Sequence, residues 1–194
     1  MAWQGIVNRN FTAEQFATYV PSLHFTNWRP SFVVLHNTSA PTLAQWHHTD
    51  GHQRMLNLES YYRDTMHWSA GPHLFVANDA IWAFTPLTVP GVHSPSWNRV
   101  SWGVEMVGEY ETEPFDSGAG AKVRDLTVEA LAVLHATMGF DSSSLRFHKE
   151  DPATTHNSCP GQHVHKADVV QRLHTRLAAI YAGEHDPQAT DRLG

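Results

Sequence analysis

An α/β or α+β domain built on a mostly covered central sheet is what the sequence predicts, and three observations carry that reading. Short runs of β-branched and aromatic residues, bounded by turn residues, recur at 32–36, 73–84 and 102–107. Between and after them lie stretches with apolar residues at helical spacing, the longest at 126–140 and 164–181; strands interspersed with helices pack as a sheet with helices on its faces. At 194 residues and 41% hydrophobic content, the chain can bury one substantial core and is too short for two full domains.

Taken in order, Thr12-Ala13-Glu14-Gln15 reads as a capping box that opens a short helix, with Phe16 and Tyr19 turned inward. Pro21 to Pro30 is a connection, and Phe32 to His36 is a short apolar run whose length favours a buried strand. Thr42 to His47 starts another helical stretch, and Leu56 to Met66 reads as helix through Leu56, Ser60, Tyr61 and Asp64. A loop with Ser69, Gly71 and Pro72 leads into two apolar runs, 73–77 and 81–84, separated by Asn78-Asp79-Ala80, which predicts a hairpin. The run from Trp102 to Gly108 is a further strand, with Trp102, Val104 and Met106 on one face and Gly103, Glu105 and Val107 on the other. Tyr110 to Lys122, rich in Glu, Gly, Pro and Ser, is expected to be a surface loop. Leu126 to Phe140 predicts a helix that stops near Gly139, Leu145 to His148 a last short strand, and Val164 to Tyr181 a long helix with Val164, Ala167, Val170, Leu173, Leu177 and Ile180 inward. The tail from Gly183 is expected to fray.

Charge narrows the range of partners. Thirteen Lys and Arg against 19 Asp and Glu give a formal charge of −6, with no basic run able to neutralise several phosphates, so neither nucleic acid nor an anionic membrane is an expected partner. The N-terminus lacks the basic start and apolar stretch of a signal peptide, and no apolar run approaches the ~18 residues a membrane span requires. The expected product is soluble and made in the cytoplasm. A single cysteine excludes an intrachain disulfide and leaves its thiol free for metal.

That cysteine, Cys159, follows His148 by eleven positions and sits directly before Pro160-Gly161. A thiolate and a neutral imidazole are good zinc ligands, and a catalytic zinc takes three protein ligands and keeps a fourth position open. The best third candidate is His36, where the strand Ser31 to Leu35 ends and a polar turn follows. Most of the fifteen histidines are expected to be ordinary packing or surface residues, so position selects among them. Glu105 stands out separately. A carboxylate in the middle of an apolar strand must be solvated, paired or functional, because a lone buried charge costs several kcal/mol.

Three separated segments, Val33-Val34-Leu35-His36-Asn37-Thr38, Ser101-Trp102-Gly103-Val104-Glu105-Met106-Val107-Gly108 and His148 to Gly161, resemble in order those of the type 2 zinc-dependent N-acetylmuramoyl-L-alanine amidases. That family includes phage lysozyme-amidases, muropeptide amidases and peptidoglycan recognition proteins. Gly71-Pro72-His73-Leu74-Phe75-Val76 is similar to the family hairpin, and Gly91-Val92-His93 resembles its substrate-cleft histidine segment. The resemblance covers most of residues 30 to 180. It implies an α/β single domain with a central mixed sheet flanked by helices, in which residues 1–29 form an extension with a short helix packed on the domain, 30–182 the zinc amidase domain and 183–194 a tail.

The same resemblance implies one Zn²⁺ held by His36, His148 and Cys159, with Glu105, in the frame Ser-X-Gly-X-Glu, as the acid/base, and His93 and His73 as substrate-binding residues. The implied activity is hydrolysis of the amide between N-acetylmuramic acid and L-alanine, in peptidoglycan or muropeptides, in the cytoplasm or at the wall after lysis-associated release. The alternative is a peptidoglycan-binding protein that uses the same cleft without turnover. One departure bears on catalysis. Many relatives carry lysine two residues before the third ligand, where a cation stabilises the oxyanion; here that position is Asn157, preceded by His156, and either can donate a hydrogen bond. Pro72 stands where some phage members have tyrosine. Trp82, Trp97 and Trp102 are candidates for a saccharide groove, with core packing the commoner role for such residues.

Overall fold

A computed structural model describes residues 2–184. Six strands form one mixed sheet: β1 (Arg9–Phe11), β2 (Phe32–Asn37), β3 (Leu74–Val76), β4 (Ile81–Ala83), β5 (Ser101–Met106) and β6 (Arg146–Phe147). Their spatial order is β1-β4-β3-β5-β2-β6. The β3–β4 hairpin is antiparallel and β1 adds antiparallel to its outer edge, whereas β3, β5, β2 and β6 run parallel. The interior strands β4, β3, β5 and β2 are the buried part, and the edge strands β1 and β6 carry the exposed residues. β2 reads as a continuous apolar run because Val33, Val34 and Leu35 are sealed on both faces, as in a sheet covered by helices.

The helices are α1 (Ala13–Tyr19), α2 (Leu43–Trp46), α3 (Gly51–Ser60), α4 (Gly118–Met138) and α5 (Lys166–Glu184). α4 lies across β2 to β5, and α1 and α5 pack against its outer side. Both Thr-X-X-Gln sequences, at Thr12 and at Thr42, form reciprocal capping boxes, each threonine hydroxyl accepting from the glutamine N–H three residues on. α4 ends at Gly139 with φ +72°, a left-handed cap that glycine adopts without steric cost. No helix among the described residues is long and apolar enough to cross a membrane.

Three expectations need correction. The 110–122 segment is a surface loop only as far as Ser117, and it is anchored: Tyr110 and Phe115 are buried edge to face, the Tyr110 hydroxyl donates to the Val107 carbonyl at 2.9 Å, and α4 already begins at Gly118. Small residues made this stretch look loop-like, yet one is required by packing, since a Cβ on Gly120 would lie 2.0 Å from the Pro114 carbonyl oxygen. The helix expected from Leu56 starts earlier, at Gly51, capped by the Asp50 carboxylate, and buries Met55 while Leu56 and Tyr61 stay exposed. Its last turn widens into a π-helical turn at Tyr61–Thr65 that seats Tyr62 against Trp68 and Phe84. In α5 the buried stripe is Val169, Leu173 and Leu177, and Ala167 faces out. The tail is expected to fray from Gly183; Gly183 and Glu184 still belong to α5, and the rest of the tail falls outside the described residues.

His135, inside α4, is fully buried and neither ring nitrogen has a hydrogen-bond partner. Burial drives its pKa from 6.5 down to about 4. The folded protein thus refuses a proton that the unfolded chain accepts below pH ~6.5. Stability is complete above that pH and falls as pH drops towards 4. His135→Leu is expected to raise the urea midpoint at pH 7 and to remove about 2–3 kcal/mol of the stability loss between pH 7 and 4.5. Urea titrations at both pH values check this; an unchanged pH dependence would contradict it.

Candidate metal centre and cleft

β5, β2 and β6 lie side by side and parallel, so their C-terminal ends deliver side chains to one place. The register pairs His36 with Glu105 and Leu35 with Phe147, which sets His148, the next residue, beside His36. Open parallel sheets bind ligands at this end of the strands. The His36 and His148 rings are 4.3 Å apart, and ligand atoms of His36, His148 and Cys159 all lie within 4.8 Å of one another. Cys159 reaches them on the 151–161 turn, whose return is fixed by the Lys149 N–H donating to the Cys159 carbonyl at 3.1 Å.

Glu105 Oε1 is 3.9 Å from His36 Nδ1, and Glu105 Oε2 is buried without a hydrogen-bond partner. Desolvation raises the Glu105 pKa to about 8. Burial, with nearby imidazoles, holds His36 well below 6.5, and His148 falls to about 4. Desolvation first, then the Glu105 charge, pushes the Cys159 thiol up to about 12. Each group is thus driven to its uncharged form. Two imidazoles with free lone pairs, a thiol and an orphaned carboxylate oxygen are a set that one divalent cation would ionise and satisfy at once. The spacing fits zinc, whose tetrahedral ligand atoms sit on the order of 3.5 Å apart.

These residues form the floor of a cleft of about 420 Å³. Its lining includes an apolar and aromatic set, Leu58, Tyr61, Tyr62, Met66 and Trp68, and a polar set, Glu109, Glu111, His156 and Ser158. Glu109 and Glu111 line it with no lysine or arginine among the described residues, a potential that favours cations. His156 stacks on His148 with ring centres 5.2 Å apart. Both oxyanion candidates are exposed, but only His156 lines the cleft; Asn157 lies outside the lining.

His73, expected to bind substrate, is instead sealed in the core: it is fully buried, its Nδ1 accepts from the Gly103 N–H, its Nε2 donates to the Val89 carbonyl, and Trp28 stacks on it. His93 does line the cleft, but both of its ring nitrogens are engaged, Nδ1 with His36 Nε2 at 3.1 Å and Nε2 with the Ser101 carbonyl at 3.3 Å. Trp82 and Trp102 are core residues, and Trp97 packs on Phe32 outside the cleft. A residue that sequence reasoning missed is Tyr62, which faces the cleft and whose phenol is raised well above 10 by burial and by the Glu105 charge. Its only signal was a Tyr-Tyr pair late in a helical stretch, with no spacing to link it to Glu105.

The geometry has relatives. The wild-type Drosophila protein PGRP-LB superposes with a TM-score of 0.60 at 21% identity, over 78% of this chain and 85% of that one. The endolysin N-acetylmuramoyl-L-alanine amidase LysCS from Clostridium intestinale URNW gives 0.58 at 18% identity, over 78% and 92%. A point variant of the same Drosophila PGRP-LB, in complex with tracheal cytotoxin, gives 0.57 at 20% identity, over 76% and 83%. In sequence, peptidoglycan-recognition protein 2 of Holotrichia diomphalia is 26% identical over 129 residues, 64% of this chain and 66% of its own length, so this chain spans just under two thirds of that relative. The mixed sheet and its flanking helices are therefore those of amidases and recognition proteins alike. A family profile described as N-acetylmuramoyl-L-alanine amidase matches residues 26–162, a span that holds His36, Glu105, His148 and Cys159, and the chain belongs to that family, Amidase_2.

Proposed function

We propose that the protein is a zinc-dependent N-acetylmuramoyl-L-alanine amidase that cuts the bond between the lactyl carbonyl of N-acetylmuramic acid and L-alanine. The observation that carries this is the convergence of three ligand atoms within 4.8 Å on a cleft floor that also holds a partnerless glutamate oxygen. His36, His148 and Cys159 hold the ion. Zinc so held supplies a Lewis acid to the scissile carbonyl and makes a nucleophile available near neutral pH. Glu105 accepts a proton from the attacking water and returns it to the departing amide nitrogen, so the carboxyl ends each cycle as it began. His156, stacked on His148 at the cleft edge, is the donor best placed to steady the tetrahedral oxyanion. The aromatic wall of Tyr61, Tyr62 and Trp68 offers rings on which the sugar can stack.

The second reading, a peptidoglycan binder without turnover, is favoured by Asn157 where many relatives carry lysine. The two separate cleanly. Muropeptides incubated with zinc-loaded protein should yield free stem peptide and peptide-free muramyl sugar by mass spectrometry, and chelator should abolish both. Saturable muropeptide binding with no new masses would identify the binder, and cleavage at another bond would overturn the substrate assignment.

A further inference from the structure

We infer that His93 is a positioning residue that fixes which nitrogen of His36 faces the metal, rather than a contact for substrate. This rests on the reading of His36 as a ligand. The Ser101 carbonyl can only accept, so the His93 nitrogen beside it, Nε2 at 3.3 Å, carries the hydrogen. His93 is 7% exposed and packs against the rings of His36 and His73, so it is held as the neutral imidazole and its Nδ1 is a lone pair. That lone pair lies 3.1 Å from His36 Nε2, which must then be the donor. A neutral His36 with its hydrogen on Nε2 has its own lone pair on Nδ1, the nitrogen on the Glu105 side. The chain from the Ser101 carbonyl to His93 to His36 thus selects one tautomer of the ligand, and a hydrogen bond at the remote nitrogen makes a ligating imidazole more basic.

The surroundings hold His93 in that pose from three directions. Asn98 Oδ1 accepts from the His93 and Ser94 N–H groups, both at 2.7 Å. Asp151, itself buried, accepts from the Ser96 N–H at 2.9 Å and from the Ser94 hydroxyl, and its own N–H donates to the His148 carbonyl at 3.0 Å. The loop that carries His93 is therefore tied to the turn that carries the second ligand. The third restraint is space. The His93 ring lies on Gly103 of β5, where a Cβ would stand 2.3 Å from His93 Cγ, so the glycine of the Ser-X-Gly-X-Glu frame makes room for the imidazole behind the ligand.

Zinc affinity, measured by chelator competition on the full chain, tests this without reference to turnover. His93→Leu fills the site but cannot accept, and should weaken zinc binding about 10- to 100-fold. His93→Gln, whose carbonyl can accept from His36 while its amide donates to Ser101, should recover most of that loss. Parental affinity in His93→Leu, or parental affinity with a raised KM for muropeptide, would overturn the inference and return His93 to the substrate. Should the leucine variant fail to fold, ¹⁵N NMR of the histidine rings in the unsubstituted, metal-free protein decides: the hydrogen of His36 is expected on Nε2, and its presence on Nδ1 refutes the proposal. Neither readout requires hydrolysis. A protein that binds zinc through this chain but cleaves nothing would retain the inference and lose only the assigned activity.

Discussion

Glu105→Gln is expected to leave fold and zinc content intact and to lower kcat by roughly 10²-fold or more, about 3 kcal/mol of barrier. The exchange is nearly isosteric, and the buried Oε2 has no partner whose loss could disturb packing. An amide can neither accept the proton of the attacking water nor hand one to the leaving nitrogen. KM should change little, because Glu105 sits at the floor beside His36 and the broad walls of the cleft come from other residues. Steady-state kinetics on a defined muropeptide, with metal analysis of the same sample, provide the check; activity within a few fold of the parent would assign the proton to another group.

Cys159→Ser should have an effect at least as large, by another route. The thiol sits in a pocket that raises its pKa to about 12, so it becomes a ligand only when a cation pulls the proton away. A serine hydroxyl is far less acidic than a thiol and a harder donor, and the variant is expected to retain much less than the roughly one zinc per chain of the parent and to lose turnover below detection. The residue forms no disulfide, so the fold should survive. Added zinc should raise the melting temperature of the parent, by the mass action of a ligand that binds only the native state, and should not raise that of the variant. Equal zinc content in the two proteins would remove Cys159 from the ligand set.

The cluster of candidate ligands could be read from the sequence because its chemistry is rare: one cysteine, a histidine eleven residues before it and a histidine at a strand end leave few ways to assemble a three-ligand site, and the fold brings the three together. The strands that carry His36 and Glu105 were legible because β2 and β5 are short apolar runs. The second layer was not. His73 and His93 have the same side chain and similar flanking glycines, and only the fold shows that the first is sealed behind Trp28 while the second reaches His36. Asn157 and His156 are adjacent, so their difference in reach depends on a turn whose path no local pattern encodes. The early start of α4 escaped for the opposite reason: Gly118 to Ala121 looks like loop by composition, although glycine at 120 answers to packing, since the Pro114 carbonyl leaves no room for a Cβ there.

The parallel alignment of β5, β2 and β6 also has a kinetic side. The three strands come from distant parts of the chain, and pairings of such long range form late and slowly. His36 and His148 meet only where those pairings hold, so an ion bound between them would act as a clasp across segments far apart in the chain and, by mass action, would oppose separation of the sheet's parallel half. Unfolding in urea, followed with and without a chelator, would then show how firmly that clasp holds.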